Sequence, residues 1–316
     1  MLYTYRRRFA GFACAFAILL VTVTQIHGIQ PEPSPAGDLA AFEKTRAGGV
    51  IGIQTVRPDQ LAEGDRLRQG WQDFVRNLGG GWSVHLDLRT ALPKLVSGRG
   101  IAWAPGPGNG LDTTEPVTLE RLEARARAFL DSHTLLLGDW EGQFRLDPEA
   151  SLRRSDRVWQ LRFRQVIDGV EVEGSAFDFH LVQGNLVSFG ASNWAEVRTS
   201  ATPTLTREQA REKLDDYLGI DASLQYVDLD SGSLQLIPVN PDLSGSTRWE
   251  GATGQGLDHR LAWRFRFHDP AAEPLWVGEV DAHTGEIFSF FNDTRHDRIK
   301  GTLSPITDDG DCANGG

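Results

Sequence analysis

The residue types that carry hydrolytic chemistry occur in this chain, but not at the spacings that such chemistry needs. A helical HExxH would set two histidines on one helix face as zinc ligands, with the glutamate beside them to activate water. The eight histidines stand at 27, 85, 133, 180, 259, 268, 283 and 296, and none has another four residues away. The sequence also holds no GxSxG nucleophile turn and no GxxxxGK[ST] phosphate loop. Asp281, His283 and Glu286 crowd one turn and could hold a metal, yet DAHTGE reads as ordinary polar hairpin chemistry with Gly285 at the special backbone position. His133 reads as a core-edge helix residue. Asp308, Asp309 and Asp311 lack the D-x-[DN]-x-[DN]-G spacing of a calcium loop and read as solvated chain. The 316 residues are therefore expected to be non-catalytic and to hold no metal or cofactor of their own.

Four arginines have a more regular placement. Arg162 and Arg164 alternate with Leu161 and Phe163, and Arg264 and Arg266 alternate with Trp263 and Phe265. Each pair thus lies on the strand face opposite the apolar side chains. Such a face is either solvated, with arginine stems covering apolar surface, or a docking surface for an acidic partner.

Two runs of elements must position these arginines. Residues 118–138 put Leu119, Leu122, Ala126, Phe129, Leu130 and His133 on one helix face, and Gly138 stops the helix. Alternating strands follow, turned by Asp168-Gly169 and Gln183-Gly184. Thr206 and Gln209 then have capping-box spacing for a short helix ending at Gly219, and strands follow at 234–239, 261–267, 274–280 and 287–291, the last turned by Gly285. QLRFR at 160–164 matches AWRFR at 262–266, and NLVSF at 185–189 matches EIFSF at 286–290. This predicts an α+β protein with two tandem modules, 112–197 and 203–292, each a helix packed on an antiparallel sheet. Ahead of them, 39–111 mixes helix-forming stretches with a strand at 82–88 and a loop at 93–108 that holds a short strand near 101–103.

Composition bounds the setting. Arg6, Arg7 and Arg8 precede the apolar run Phe9 to Val23, a signal-peptide pattern over 1–28, so the protein is expected to be exported, to the medium or the periplasm, and to leave the membrane once cleaved. The Pro-rich stretch 29–38 reads as a linker. After cleavage Cys312 is the only cysteine, either paired beyond position 316 or a free thiol. The net charge of −11 opposes binding to nucleic acid.

The first module, WQLRFRQVIDGVEVEGSAFDFHLVQGNLVSFGASN at 159–193, resembles the fungalysin/thermolysin propeptide (FTP) motif. The second resembles a PepSY domain, most specifically at VDAHTGEI, and WSVHLDLRTALPKLVSGRG at 82–100 looks like the segment that opens such pro-regions. The resemblance implies cystatin-like/PepSY modules that chaperone and inhibit a secreted zinc metallopeptidase. The partner implied is that protease domain, in cis or in trans, with zinc, and calcium as a further candidate, in the protease domain only. Residues 293–316 would then be a linker or the start of that domain. A free-standing exported PepSY-type protein regulating a separate protease is the other reading.

Overall fold

The computed structural model describes residues 39–46, 51–107, 109–111, 116–155, 157–219, 227–242, 248–268 and 274–294. The expected signal peptide, the linker, Cys312 and the acidic stretch at 308–311 lie outside them.

Asp65 opens the first helix, α1 (Arg66–Leu78), its side chain accepting the Leu67 N–H, and Gly79 ends it at φ 83°. Two strands follow, β1 (Thr55–Val56) having come before the helix: β2 (Trp82–Asp87) and β3 (Leu92–Ala102). The expected 118–138 helix is split. Thr118 caps α2 (Leu119–Ser132), His133 leaves helical geometry at φ −130° and ψ 31°, and a single turn, α3 (Thr134–Leu137), follows before Gly138. The predicted apolar face is nonetheless the one that packs: Leu122, Ala126, Phe129 and Leu130 join Leu67 and Phe74 of α1 against the sheet.

That sheet has nine strands. Beyond β1 to β3 it comprises β4 (Phe144–Leu146), β5 (Leu152–Ser155), β6 (Val158–Ile167), β7 (Val170–Glu171), β8 (Ala176–Val182) and β9 (Asn185–Ser192). The main order is β1-β2-β3-β9-β8-β6-β4, with β5 and β7 also on β6. The second sheet follows α4 (Arg207–Leu218) and runs β10 (Val227–Val239), β11 (Asp258–His268), β12 (Leu275–Asp281) and β13 (Ile287–Asn292), in that order. Both capping-box bonds between Thr206 and Gln209 are made, and Gly219 takes the left-handed conformation at the helix end. Ala210, Leu214 and Leu218 of α4 pack on Phe265, Phe267, Trp276, Val280 and Phe290.

The fold is thus α+β, with a helix on an antiparallel sheet twice over. The path β4-β6-β8-β9 after α2 has the same sequential antiparallel order as β10-β11-β12-β13 after α4. Segment 93–108, expected as loop, is mostly strand: β3 starts at Leu92, absorbs Pro93 beside the irregular pairing at His85 and Leu86, and continues onto β9. The hydrogen-bond ladder therefore crosses the expected boundary at 111/112. β10 likewise begins at Val227, seven residues before the expected strand.

Chain from the amino-terminal segment flanks the last strand of both units. β3 pairs with β9, while Lys44 exchanges two backbone hydrogen bonds with Phe290 of β13, at 2.8 and 2.9 Å. Unpaired strand edges invite foreign pairing, and this arrangement covers both.

The turn glycines differ in what surrounds them. Asp168-Gly169 and Gln183-Gly184 both have positive φ at the two central positions, as tight hairpins require. A Cβ at Gly169 would meet nothing within 4 Å, whereas at Gly184 it would lie 2.3 Å from the Ala104 carbonyl oxygen. Gly169→Ala is expected to cost about 1 kcal/mol from backbone strain alone. Gly184→Ala should cost about 3 kcal/mol because a backbone clash adds to it. Urea denaturation of the two variants measures the difference.

Candidate functional site

The four arginines occupy matched positions. Arg162 lies across the ladder from Asp178, and Arg264 lies across from Glu279, so the corresponding strand of each unit faces an acid on the next strand. Arg162 donates from Nε to Asp178 Oδ1 at 2.7 Å and from Nη2 to Oδ2 at 2.9 Å, a two-point clasp. The Asp178 hydrogen bonds raise the Arg162 pKa against the opposing effect of burial. Arg164 donates to Asp147 at 3.0 Å and to the Ser175 carbonyl. Arg264 donates to Glu173 at 2.8 Å, and Arg266 to Asp293 at 3.4 Å. All four guanidiniums are thus engaged within the chain. Arg264 is the least exposed of them, at 18%, and Arg266 the most, at 42%.

Arg264 belongs to a cluster that ties three stretches of sequence together. Arg46 clasps Glu173 at 2.6 and 3.0 Å and Glu279 at 2.8 and 2.6 Å. Ser289 donates to Glu279 at 2.5 Å. Glu279 is fully buried, a position a carboxylate tolerates only when well paired. Burial opposes the charge on Glu173, but the Arg46 hydrogen bonds, with Arg264 adding, hold its carboxyl below the ordinary value of 4.5. Burial likewise works against the Arg46 charge, and the two glutamates outweigh it and raise its pKa. A depressed carboxylate contributes stability above its unfolded pKa and loses it as pH falls through the folded one. Glu173→Gln should therefore be less stable than the unsubstituted chain at neutral pH, by about 2 kcal/mol. The gap should narrow as the pH falls below 4.5, as denaturation midpoints at several pH values would show.

A second junction lies at the β2–β3 turn. Arg89 is 1% exposed and donates to the carbonyls of Gly52 and Gly256, both at 2.9 Å, and to Asn240 at 3.2 Å. Trp249 lies over its guanidinium, and Gln54 exchanges two hydrogen bonds with the Trp249 backbone. The β10–β11 connection is thereby fixed to the first unit. Glu173 N–H also donates to the Leu236 carbonyl, which sets the β7 end against β10.

The other residues singled out by type fall as follows. Asp281 Oδ1 accepts the N–H groups of His283 and Thr284, while Arg260 sits 3.6 Å from Asp281 and 3.0 Å from Glu286. These groups build the hairpin turn. His133 ends α2 between the Phe74 and Phe129 rings, with Nε2 buried and unpartnered. Among the described residues no group of three His, Cys, Asp or Glu is placed to hold a metal ion. Among them, too, no helix is long and apolar enough to cross a membrane.

Nothing in the local sequence pattern marks Arg46, Arg89 or Glu173 as partners in these junctions. Glu279 alone leaves a trace, as a lone acid inside the otherwise apolar strand WVGEV.

No protein-family model matches the chain, and no curated protein does. Among solved structures it is similar to the Bacillus megaterium YpeB C-terminal domain, at 15% identity and TM-score 0.31, over 73% of this chain and 97% of that one.

Proposed function

We propose that the chain is the non-catalytic pro-region of an exported zinc metallopeptidase, assisting the folding of the protease domain and inhibiting it, in cis or in trans. The observation that carries this reading is the FTP-like motif followed by the PepSY-like motif, each lying on a helix-then-meander unit. Arg162 and Arg264 occupy the same place in the two units, each opposite a carboxylate. Zinc, and calcium if used, belong to the protease domain. A tethered inhibitor acts at high effective concentration, which is lost when the tether is cut. A paired sheet face is suited to such a role because it presents fixed charges without needing a reactive group.

Within this reading Arg162, Arg164 and Arg266, whose side chains are 31%, 25% and 42% exposed, frame the contact face, and Arg264 acts mainly inside the chain. The test is co-refolding. A denatured thermolysin-type catalytic domain is diluted with and without an equimolar amount of this protein, and the recovered fold is read by circular dichroism. The reading requires higher recovery with the chain present. Equal recovery, with the chain itself folded, removes the chaperone role.

A further inference from the structure

The segment Leu39–Arg46 sits on the second unit as a bound peptide sits on a receptor. Leu39 is 5% exposed and lies in the core formed by α4 and the second sheet. Phe42 meets the Tyr217 ring edge-on at 5.8 Å, and Tyr217 Oη donates to the Phe42 carbonyl at 2.9 Å. Lys44 adds to the β13 edge through its bonds with Phe290, and its Nζ donates to the Ile287 carbonyl at 2.5 Å. Arg46 closes the series on Glu173 and Glu279. Leu39–Phe42 form a 3-10 turn that sets Leu39 and Phe42 against the unit, and beyond it Lys44 and Arg46 are half-buried while Glu43 and Thr45 are exposed, the alternation of an extended stretch along a strand edge.

Backbone pairing supplies affinity in such edge recognition, and pockets for alternate side chains supply selectivity. We infer that the groove between α4 and β13 is a peptide-binding site for a segment that begins with one helical turn carrying two apolar anchors three residues apart and continues extended, with basic residues two and four positions on. In the structure the chain's own residues 39–46 fill it, so an incoming segment of that chemistry must displace them. This inference stands apart from the protease reading. Failure of inhibition would leave the peptide site untouched.

The test uses the full chain. A fluorescent peptide LAAFEKTR, the sequence of residues 39–46, is titrated against the unsubstituted chain and against the variant Phe42→Ser/Lys44→Pro/Arg46→Gln, whose own segment is weakened at three anchors. Saturable binding is expected to the variant, and at least roughly tenfold weaker binding to the unsubstituted chain, where the tethered segment competes. A control peptide with Ser for Phe and Glu for Arg should bind neither. A variant that unfolds cooperatively but binds no peptide overturns the inference. If the variant does not fold, hydrogen exchange on the unsubstituted chain decides. The Phe290 amide, which donates to Lys44, is then expected to exchange by local opening, well before the amides between β11 and β12. Exchange of Phe290 only with global unfolding overturns the inference.

Discussion

Arg89→Met is expected to lower stability by about 4 kcal/mol, because it removes the hydrogen bonds to Gly52, Gly256 and Asn240 from a side chain that is 1% exposed. The methionine keeps the apolar stem but leaves the Gly52 and Gly256 carbonyls without this donor. In a protein of this size the loss corresponds to a fall of roughly 10 °C in melting temperature. Because Arg89 joins the β2–β3 turn to the β10–β11 connection, calorimetry should also show the two units unfolding less cooperatively than in the unsubstituted protein. A melting temperature within about 2 °C of the unsubstituted protein would mean that the junction contributes little.

The second large effect concerns His259, which is 4% exposed with neither ring nitrogen partnered. Burial lowers its pKa from 6.5 to about 4, with Asp258 acting against the shift and Arg198 adding to it. The unfolded chain therefore takes up a proton near pH 6.5 while the folded chain refuses it until near pH 4. Between those values stability must fall as pH falls, by about 3 kcal/mol through this residue alone. His259→Leu removes the titrating group and keeps the site apolar, so the stability profile should flatten across that window. Parallel profiles for the two proteins would place the acid sensitivity elsewhere. Glu173 acts at the lower end of the scale, so the two contributions separate by pH.

Local patterns reveal the repeated architecture, because each of its parts has a short-range cause. Alternation puts Leu161 and Phe163 inward and Arg162 and Arg164 outward, and capping chemistry at Thr206 and Gln209 starts α4. The ties between the units have no such cause. Glu173 and Glu279 are separated by 127 and 233 residues from Arg46, so only the folded chain brings them together. Arg89 looks like an ordinary turn residue until the β10–β11 connection closes over it. The strand β3 escaped a local reading because Pro93, Gly98 and Gly100 interrupt its pattern, whereas its neighbours β2 and β9 determine its pairing. The outward arginines were legible as a face. Their acid partners were not, since Asp147, Glu173 and Asp293 come from other elements.

The proposed role is restraint of a zinc metallopeptidase by a folded chain that binds it. Its most direct test is a titration of a thermolysin-type catalytic domain with the folded chain, read as hydrolysis of a fluorogenic peptide. Inhibition is expected to saturate at one chain per protease and to weaken in the Arg162→Ala/Arg164→Ala/Arg266→Ala variant. Unchanged hydrolysis with the folded chain in excess would contradict it.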